Sequence, residues 1–236
     1  MTIVLAAAVI AAASAAQAIT GFGSALLAVP FLTIIAGPRP AVMAGLMVAV
    51  LLSTGVAIAE RRHVLRRPVL LMGGGGVVAA PVGLLLLRTL SDRGLTVLIC
   101  GVLLVSAVMM TVRIRLPATD STVISAGLLS GVLLTSTGLN GPPLAVALAA
   151  QAHPPRTSRA TLAMVFVVHG FVGNTLVLTS VQVTSSTLSI GAVAVPAMIL
   201  GWVAGDRVSR RMDQTWTRRA VIALLVVGAV LAAVTA

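Results

Sequence analysis

The sequence predicts an all-α, polytopic transmembrane helix bundle of two inverted-topology repeats, with about 8–10 membrane segments, two of them short or re-entrant. Three observations predict this class: the apolar composition, the placement of the arginines and an internal duplication. Apolar residues make up 58% of the chain, charged residues 9%, and the mean hydropathy is +1.12. A water-facing surface needs more polar residues than this, so we expect the chain to lie in a lipid bilayer.

Apolar runs bounded by charge, glycine or proline define the membrane segments. They cover 2–20, 22–36, 40–59, 69–87, 94–112, 121–137, 140–152, 158–180, 186–205 and 217–235. Several runs reach the ~20 residues that a helix needs to cross a ~30 Å hydrocarbon core, whereas 22–36 and 140–152 are shorter, which leaves open whether these two span or re-enter. Helices are expected because backbone groups in lipid must be paired within the segment, and no run alternates like a barrel strand.

The first run ends in small residues, as a signal peptide does before its cleavage site. No basic residue precedes the run, and a second copy of it occurs in mid-chain, where no signal can be. Both observations favour a mature membrane segment.

The arginines predict the orientation of these segments. All sixteen basic residues are arginines, and when successive runs cross alternately thirteen of them fall on one side, leaving only Arg39, Arg88 and Arg93 on the other. The positive-inside rule assigns the arginine-rich side to the cytoplasm and both termini to the outside.

The two halves of the chain, 1–116 and 117–236, resemble each other. The stretch TGFGSALLAVP at 20–30 corresponds to TGLNGPPLAVA at 137–147, and Gly83 corresponds to Gly205. With an odd number of runs in each copy, the second copy is inserted upside down, an arrangement typical of transporters that bind substrate near the bilayer midplane. The alternative is that the duplication only enlarges a membrane bundle.

Each copy carries a glycine-bearing break beside polar residues, and these breaks are the candidate site. A freed helix N-terminus attracts an anion, since its N–H groups point outward and the helix dipole adds partial positive charge. The predicted substrate-binding residues are Gln17, Thr20, Gly21, Gly23, Ser24, Thr137, Gly138, Asn140, Gly141, His169 and Asn174, and the predicted structural helix breaks are Pro30, Pro142 and Pro143. The alternative is that these small residues only allow close helix packing.

His169 lies well inside the run 158–180, with Asn174 near enough to share a cavity. An imidazole can carry a proton or meet an anion, but it can equally be a neutral group bonded to a carbonyl of a neighbouring helix. All five acidic residues lie in loops or at segment ends, so no buried carboxylate is available to hold a proton or sodium. The coupling ion, proton or sodium, stays open.

Enzymatic and nucleic-acid functions find little support in the sequence. It contains no zinc-protease, nucleophile-elbow, Cys-x-x-Cys or P-loop motif and a single cysteine, so we expect no enzyme activity, cofactor or metal. The net charge of +11 comes with only 3% aromatic residues, so no basic stacking surface is available for nucleic acid. The expected partners are a small anionic substrate and the lipid bilayer, with a homo-oligomer left open.

Several motifs resemble the TauE/SafE family of bacterial membrane permeases, the sulfite exporter-like proteins, over nearly the whole chain. They are TGFGSALLAVPFL, TGLNGPPLAVAL, GPRPAVMAG, PPRTSRATL and the helix with Gly201 and Gly205. The resemblance implies a multi-pass permease of the bacterial plasma (inner) membrane that moves sulfite, sulfoacetate, related organosulfonates or another small organic anion, with the family's glycine-rich motifs at 20–30 and 137–144.

The second motif departs from the family pattern, since residues 140–143 read NGPP where a fuller run of glycines is usual. This departure leaves the pocket chemistry, and hence the substrate, open. We expect alternating access around a midplane anion site. A channel-like facilitator of small anions and a non-transporting membrane scaffold or accessory factor remain the alternatives.

Overall fold

The computed structural model describes residues 2–20, 24–112, 116–180 and 185–209, and these residues form α-helices joined by short connections. The helices are α1 Thr2–Thr20, α2 Ala25–Ala36, α3 Pro38–Ala59, α4 Arg66–Thr89, α5 Asp92–Thr111, α6 Asp120–Thr137, α7 Gly141–Ala149, α8 Pro155–Ser180 and α9 Ser185–Ser209, with a 3-10 turn at Arg61–His63. The all-α prediction is confirmed, and nine of the predicted runs correspond to these helices. The tenth run, 217–235, lies outside the described residues.

Five of the described helices, α3, α4, α5, α8 and α9, are long and apolar enough to cross a membrane. By contrast, α2 has 12 residues and α7 has 9. At about 1.5 Å per residue, neither reaches across a ~30 Å hydrocarbon core. Large apolar side chains are strongly exposed on the outer surface, such as Leu70 at 74% and Leu200 at 71%, as expected of a surface that faces lipid tails. The chain is therefore a multi-pass membrane protein.

Two pairs of helices distant in the chain pack closely along their length, α1 against α9 and α4 against α6. In both pairs, glycines four residues apart face backbone atoms of the partner helix so closely that a Cβ would overlap them. These contacts are Gly201 with Ala11, Gly205 with Ala15, Gly127 with Met72, and Gly131 with Gly76. Within each pair, the residue numbers of the contacting positions increase in the same direction along both helices, so the two helices of each pair are parallel. Small residues at this spacing allow backbones to approach, which favours helix association in membranes.

The centre of the bundle is the antiparallel pair of α3 and α8, which brings Gly170 against Val50 and Gly173 against Leu46. The short helices pack around this pair, α2 on α1 and α3, and α7 on α6 and α8. Most residues of α2 and α7 are buried. Both short helices therefore lie inside the bundle, where their ends can meet.

Ion pairs between residues at the ends of different helices lie at both ends of α3. At one end, Arg156 donates to Glu60 at 2.7 Å, and Arg67 pairs with Asp120 nearby. The hydrogen bond from Arg156 lowers the pKa of the Glu60 carboxyl. At the opposite end, Arg39 pairs with Asp92.

Substitution of a glycine at the contact of α1 and α9 tests this packing. Gly201→Ala places a Cβ on the Ala11 backbone, and we expect overpacking of about 1–3 kcal/mol. Gly101→Ala is the matched control, because no atom lies within 4 Å of its added Cβ and alanine favours a helix. Thermal unfolding in detergent should show a lower Tm for Gly201→Ala only. Equal melting temperatures would contradict the close approach.

Candidate functional site

The first break separates α1, which ends at Thr20, from α2, which begins at Ala25. Gln17 is 6% exposed, and its Oε1 accepts a hydrogen bond from the Ser24 backbone N–H. The Ser24 hydroxyl is 1% exposed and has no hydrogen-bond partner among the described residues. The predicted residues Gly21 and Gly23 lie outside the described residues, and of Thr20 only the backbone is described.

The second break begins with a left-handed glycine. Gly138 has φ of +75° and caps α6, a conformation that glycine adopts without the steric penalty of a side chain. Thr137 supports the turn, since its Oγ1 accepts a hydrogen bond from the Leu139 N–H at 3.3 Å. The break is therefore built by local chemistry that the sequence displays directly.

The start of α7 offers few backbone donors. Gly141 is its first residue, and Pro142 and Pro143 follow in the first turn, where a missing N–H is tolerated best. Among the N-cap residue and the first three residues of α7, whose N–H groups have no partner within the helix, only Asn140 and Gly141 carry a backbone donor, because proline has no N–H.

Asn140 lies immediately before α7 and does not cap it with its side chain. The residue is 9% exposed, and its Nδ2 has no hydrogen-bond partner among the described residues. Its backbone carbonyl accepts a hydrogen bond from the Ser130 hydroxyl at 3.1 Å. A buried amide without a partner costs roughly 1–3 kcal/mol, which is a reason to look for a ligand beside it.

The two breaks meet in the interior. A Cβ on Gly141 would lie 4.0 Å from the Leu26 side chain in the first turn of α2, and one on Gly138 would lie 3.3 Å from Val29. Pro30 lies just beyond, inside α2, which continues to Ala36. The first break therefore precedes Pro30 and does not fall at it, since the buried contacts of α2 hold the helix together across the one backbone hydrogen bond that proline lacks.

His169 and Asn174 form hydrogen bonds to different neighbouring helices. His169 is 2% exposed, and its Nε2 lies 3.0 Å from the Met72 carbonyl of α4 while its Nδ1 lies 3.4 Å from the Ser130 hydroxyl of α6. Asn174 donates from Nδ2 to the Leu46 carbonyl of α3 at 3.2 Å and to the Gly170 carbonyl at 2.8 Å. His169 is thus connected to the second break, whereas Asn174 joins α8 to α3.

A cleft of about 450 Å³ opens near the linker after α3 and narrows toward the first break. Its wall includes Glu60, Arg159, Trp202 and Asp206. Next to it lies a cavity of about 20 Å³, room for roughly one water, which is lined by residues that include Gln17, Ser53, Arg159, Phe166 and Trp202. The end of the Phe166 ring lies 3.7 Å from the position of a Cβ on Gly141. Phe166 therefore stands between this cavity and the start of α7.

The residues along this route are ones that sequence reasoning did not select. Arg159, Ala163 and Phe166 lie on one face of α8 because their spacing is that of successive helical turns. That periodicity was the available signal, but it is equally typical of lipid-facing or core positions. Arg156 forms the ion pair with Glu60, and the nearby charge of Arg159 also helps to lower the pKa of the Glu60 carboxyl.

A lipid-embedded helix bundle whose two interrupted helices meet in its interior has the architecture of a membrane transporter. The family model described as "Sulfite exporter TauE/SafE" matches residues 5–232. The chain therefore belongs to the TauE/SafE sulfite exporter family, whose members are membrane transporters and not enzymes. The resemblance found in the sequence motifs is confirmed. Comparison with the curated proteins and with the solved structures gave no match.

Removing the Phe166 ring should open the route from the cleft to the breaks. In a Cys100→Ser background, which has no other native cysteine, Asn140→Cys reports on access to the start of α7. We expect Phe166→Ala to raise the rate of its labelling by a membrane-impermeant maleimide several-fold, because truncation leaves a cavity. Phe171→Ala is the control, since Phe171 is 62% exposed on the same helix. Unchanged labelling in Phe166→Ala would show that this ring does not close the route.

Proposed function

We propose that this protein exports small sulfur-containing anions, with sulfite as the first candidate, across the bacterial inner membrane by alternating access. The anion binds between the N-terminal ends of α2 and α7. The observation that carries this proposal is the meeting of two helix N-termini in the interior, each with a buried polar atom that has no partner among the described residues, Ser24 Oγ and Asn140 Nδ2. Backbone N–H groups and helix dipoles at such ends favour a negative charge.

The donors around the breaks suit an oxyanion. The Ser24 N–H donates its hydrogen bond to Gln17 Oε1 at the first break. An oxygen atom of a bound anion can take the place of Gln17 Oε1 as the acceptor. At the second break the Asn140 amide supplements the two backbone donors that remain beside the prolines. Several donors converging on one small ligand fit the oxygen atoms of sulfite or a sulfonate. A membrane scaffold has no need for buried donors left unpaired, which favours transport over that alternative.

Helix pairing supports the proposal of two inverted copies, 1–116 and 117–236. If the two copies correspond, α1 matches α6, α4 matches α9 and α3 matches α8. The parallel pair of α1 and α9 then corresponds to the parallel pair of α6 and α4, and the central pair of α3 and α8 corresponds to itself. The match extends to single contacts. A Cβ on Gly83 would overlap the Val132 carbonyl oxygen, and one on Gly205 would overlap the Ala15 carbonyl oxygen. Gly83 and Gly205 are the residues that the sequence comparison aligned.

The connections support the proposed orientation. Glu60 and the helix-end residues Arg67, Asp120 and Arg156 lie on the side that alternate crossing assigns to the cytoplasm, and ion pairs join them at one end of α3. The cleft opens at this end, so we propose that it is the cytoplasmic entrance, with Arg159 attracting anions and Phe166 closing the inner end. Both chain termini then lie outside.

Asn140→Leu separates a binding role from a structural one. Because Nδ2 has no partner, its removal should cost the folded protein little or should stabilise it, while sulfite flux into proteoliposomes falls about tenfold or more through loss of a donor worth ~1.5–3 kcal/mol to a charged ligand. Flux and Tm are measured on the same preparation.

Asn174→Leu is the matched control for this substitution. It removes an amide that donates to Leu46 and Gly170, so we expect a lower Tm. If Asn140→Leu transported sulfite at the wild-type rate, the site between the two breaks would be wrong. A lower Tm in Asn140→Leu would instead indicate a structural role for its amide.

Single-cysteine labelling tests the inverted topology. In the Cys100→Ser background, Arg62→Cys and Arg211→Cys should react with an impermeant thiol reagent from the same side of sealed vesicles, because the positive-inside rule puts both in the cytoplasm. Arg93→Cys should react from the other side. Labelling of positions 62 and 211 from opposite sides would overturn the inverted arrangement.

A further inference from the structure

A buried chain of hydrogen bonds runs from α4 through α8 and α6 to the second break. His169 Nε2 lies 3.0 Å from the Met72 carbonyl, so this nitrogen carries a hydrogen, since a carbonyl oxygen only accepts. His169 Nδ1 lies 3.4 Å from Ser130 Oγ, which in turn lies 3.1 Å from the Asn140 carbonyl. The imidazole is thus two hydrogen bonds from the backbone of Asn140.

A neutral imidazole leaves this chain one hydrogen short. With its hydrogen on Nε2, His169 offers Nδ1 as an acceptor, and the Asn140 carbonyl is an acceptor as well. Ser130 has a single hydroxyl hydrogen for the two. When the imidazole takes up a proton, Nδ1 donates to Ser130 Oγ and Ser130 donates to Asn140, so each of these groups is paired. An added proton therefore completes the network.

The described surroundings hold no counter-charge at the level of His169. The charged and titratable side chains of the elements packed against α8, and those of α8 itself, lie at helix ends or in the turn. They are Arg39 on α3, Glu60 after it, Arg61, Arg62 and His63 in the 3-10 turn, Arg66, Arg67 and Arg88 on α4, Asp120 on α6, Asp206 and Arg207 on α9, and Arg156 and Arg159 on α8. In its described residues, α7 carries none. A buried cation without a counter-charge is costly, so a bound anion nearby would strongly favour the protonated form.

We propose that His169 is the proton-coupling site of this transporter: it takes up a proton as a small oxyanion binds beside Asn140, and the two cross the membrane together. This inference rests on the anion site proposed above. Because linkage is reciprocal, the bound anion raises the proton affinity of His169 by the same factor by which the proton raises the affinity for the anion. Ser130 is the positioning residue that connects the two.

The protonation of His169 can be observed directly. His63→Gln and His153→Gln leave it as the single imidazole of the chain, and ¹⁵N-histidine NMR in nanodiscs reports which ring nitrogen carries hydrogen. Without added anion we expect the neutral ring to carry its hydrogen on Nε2. Saturating sulfite, sulfate or methanesulfonate should raise the titration midpoint by about one pH unit, a tenfold change in proton affinity, for the anion that binds.

Two serine substitutions on α6 distinguish the network from general packing. Ser130→Ala removes the acceptor of the Nδ1 hydrogen, so the midpoint should fall by roughly one pH unit with or without anion. Ser136→Ala is the control, since the hydroxyl of Ser136 is hydrogen-bonded only to the Val132 and Leu133 carbonyls of its own helix, and the midpoint should not move.

Flux of the same three anions is measured in parallel with the titrations. The results then distinguish failure of the proton-coupling site from failure of the proposed transport function. A midpoint that Ser130→Ala leaves unchanged overturns the proton site. If none of the anions raises the titration midpoint of His169, the coupling is overturned. If any of these anions is nevertheless transported, the proposed transport function stands. If sulfite is not transported but another of the anions raises the midpoint, the proposed substrate fails and the coupling site holds.

Discussion

Backbone groups inside a bilayer must find hydrogen-bond partners within the protein, and the interior of this bundle is organised around that constraint. Two helices are interrupted where no lipid or bulk water can satisfy the freed groups. Gln17 accepts from the Ser24 N–H at one break, and Thr137 accepts from the Leu139 N–H at the other. Two buried side-chain groups at the breaks, the Asn140 amide and the Ser24 hydroxyl, have no partner among the described residues, and they mark the place where a ligand with acceptor oxygens has most to offer.

The close helix pairs make this interior possible. Glycines at four-residue spacing let α1 approach α9 and α4 approach α6 at backbone contact, which ties the first helix of the chain to the last described one. With four helices fixed in this way, α3 and α8 can occupy the centre, and the short α2 and α7 are enclosed by longer helices. Both pairs join a helix of residues 1–116 to a helix of residues 117–236.

The two breaks are similar in backbone but different in chemistry. Beside the first lie Gln17 and the narrow cavity that leads to the cleft, while the second is connected through Ser130 to the imidazole of His169. Gln17 and Ser24 at the first break have no titratable group, whereas the imidazole of His169 can carry a hydrogen on one or on both of its ring nitrogens. This difference is why the proton-coupling proposal concerns the second break alone.

The sequence by itself determined the membrane class, the approximate helix ranges and the positions of both breaks. Composition, apolar run length and glycine or proline chemistry are properties of neighbouring residues, so they can be read without the fold. It also selected Asn140, Ser24 and His169 as candidates, but not their relationships. The chemistry of proline predicted a helix break at Pro30, but α2 continues through this residue. Residue spacing along α8 predicted that His169 and Asn174 lie near each other, and the structure shows that they form hydrogen bonds to different helices. Only the tertiary structure decided that α7 starts against α2, that Phe166 separates the cavity from that point, and that Ser130 joins His169 to Asn140. Each of these depends on contacts between helices far apart in the chain, and residue spacing within one helix carries no information about which partner its face will meet.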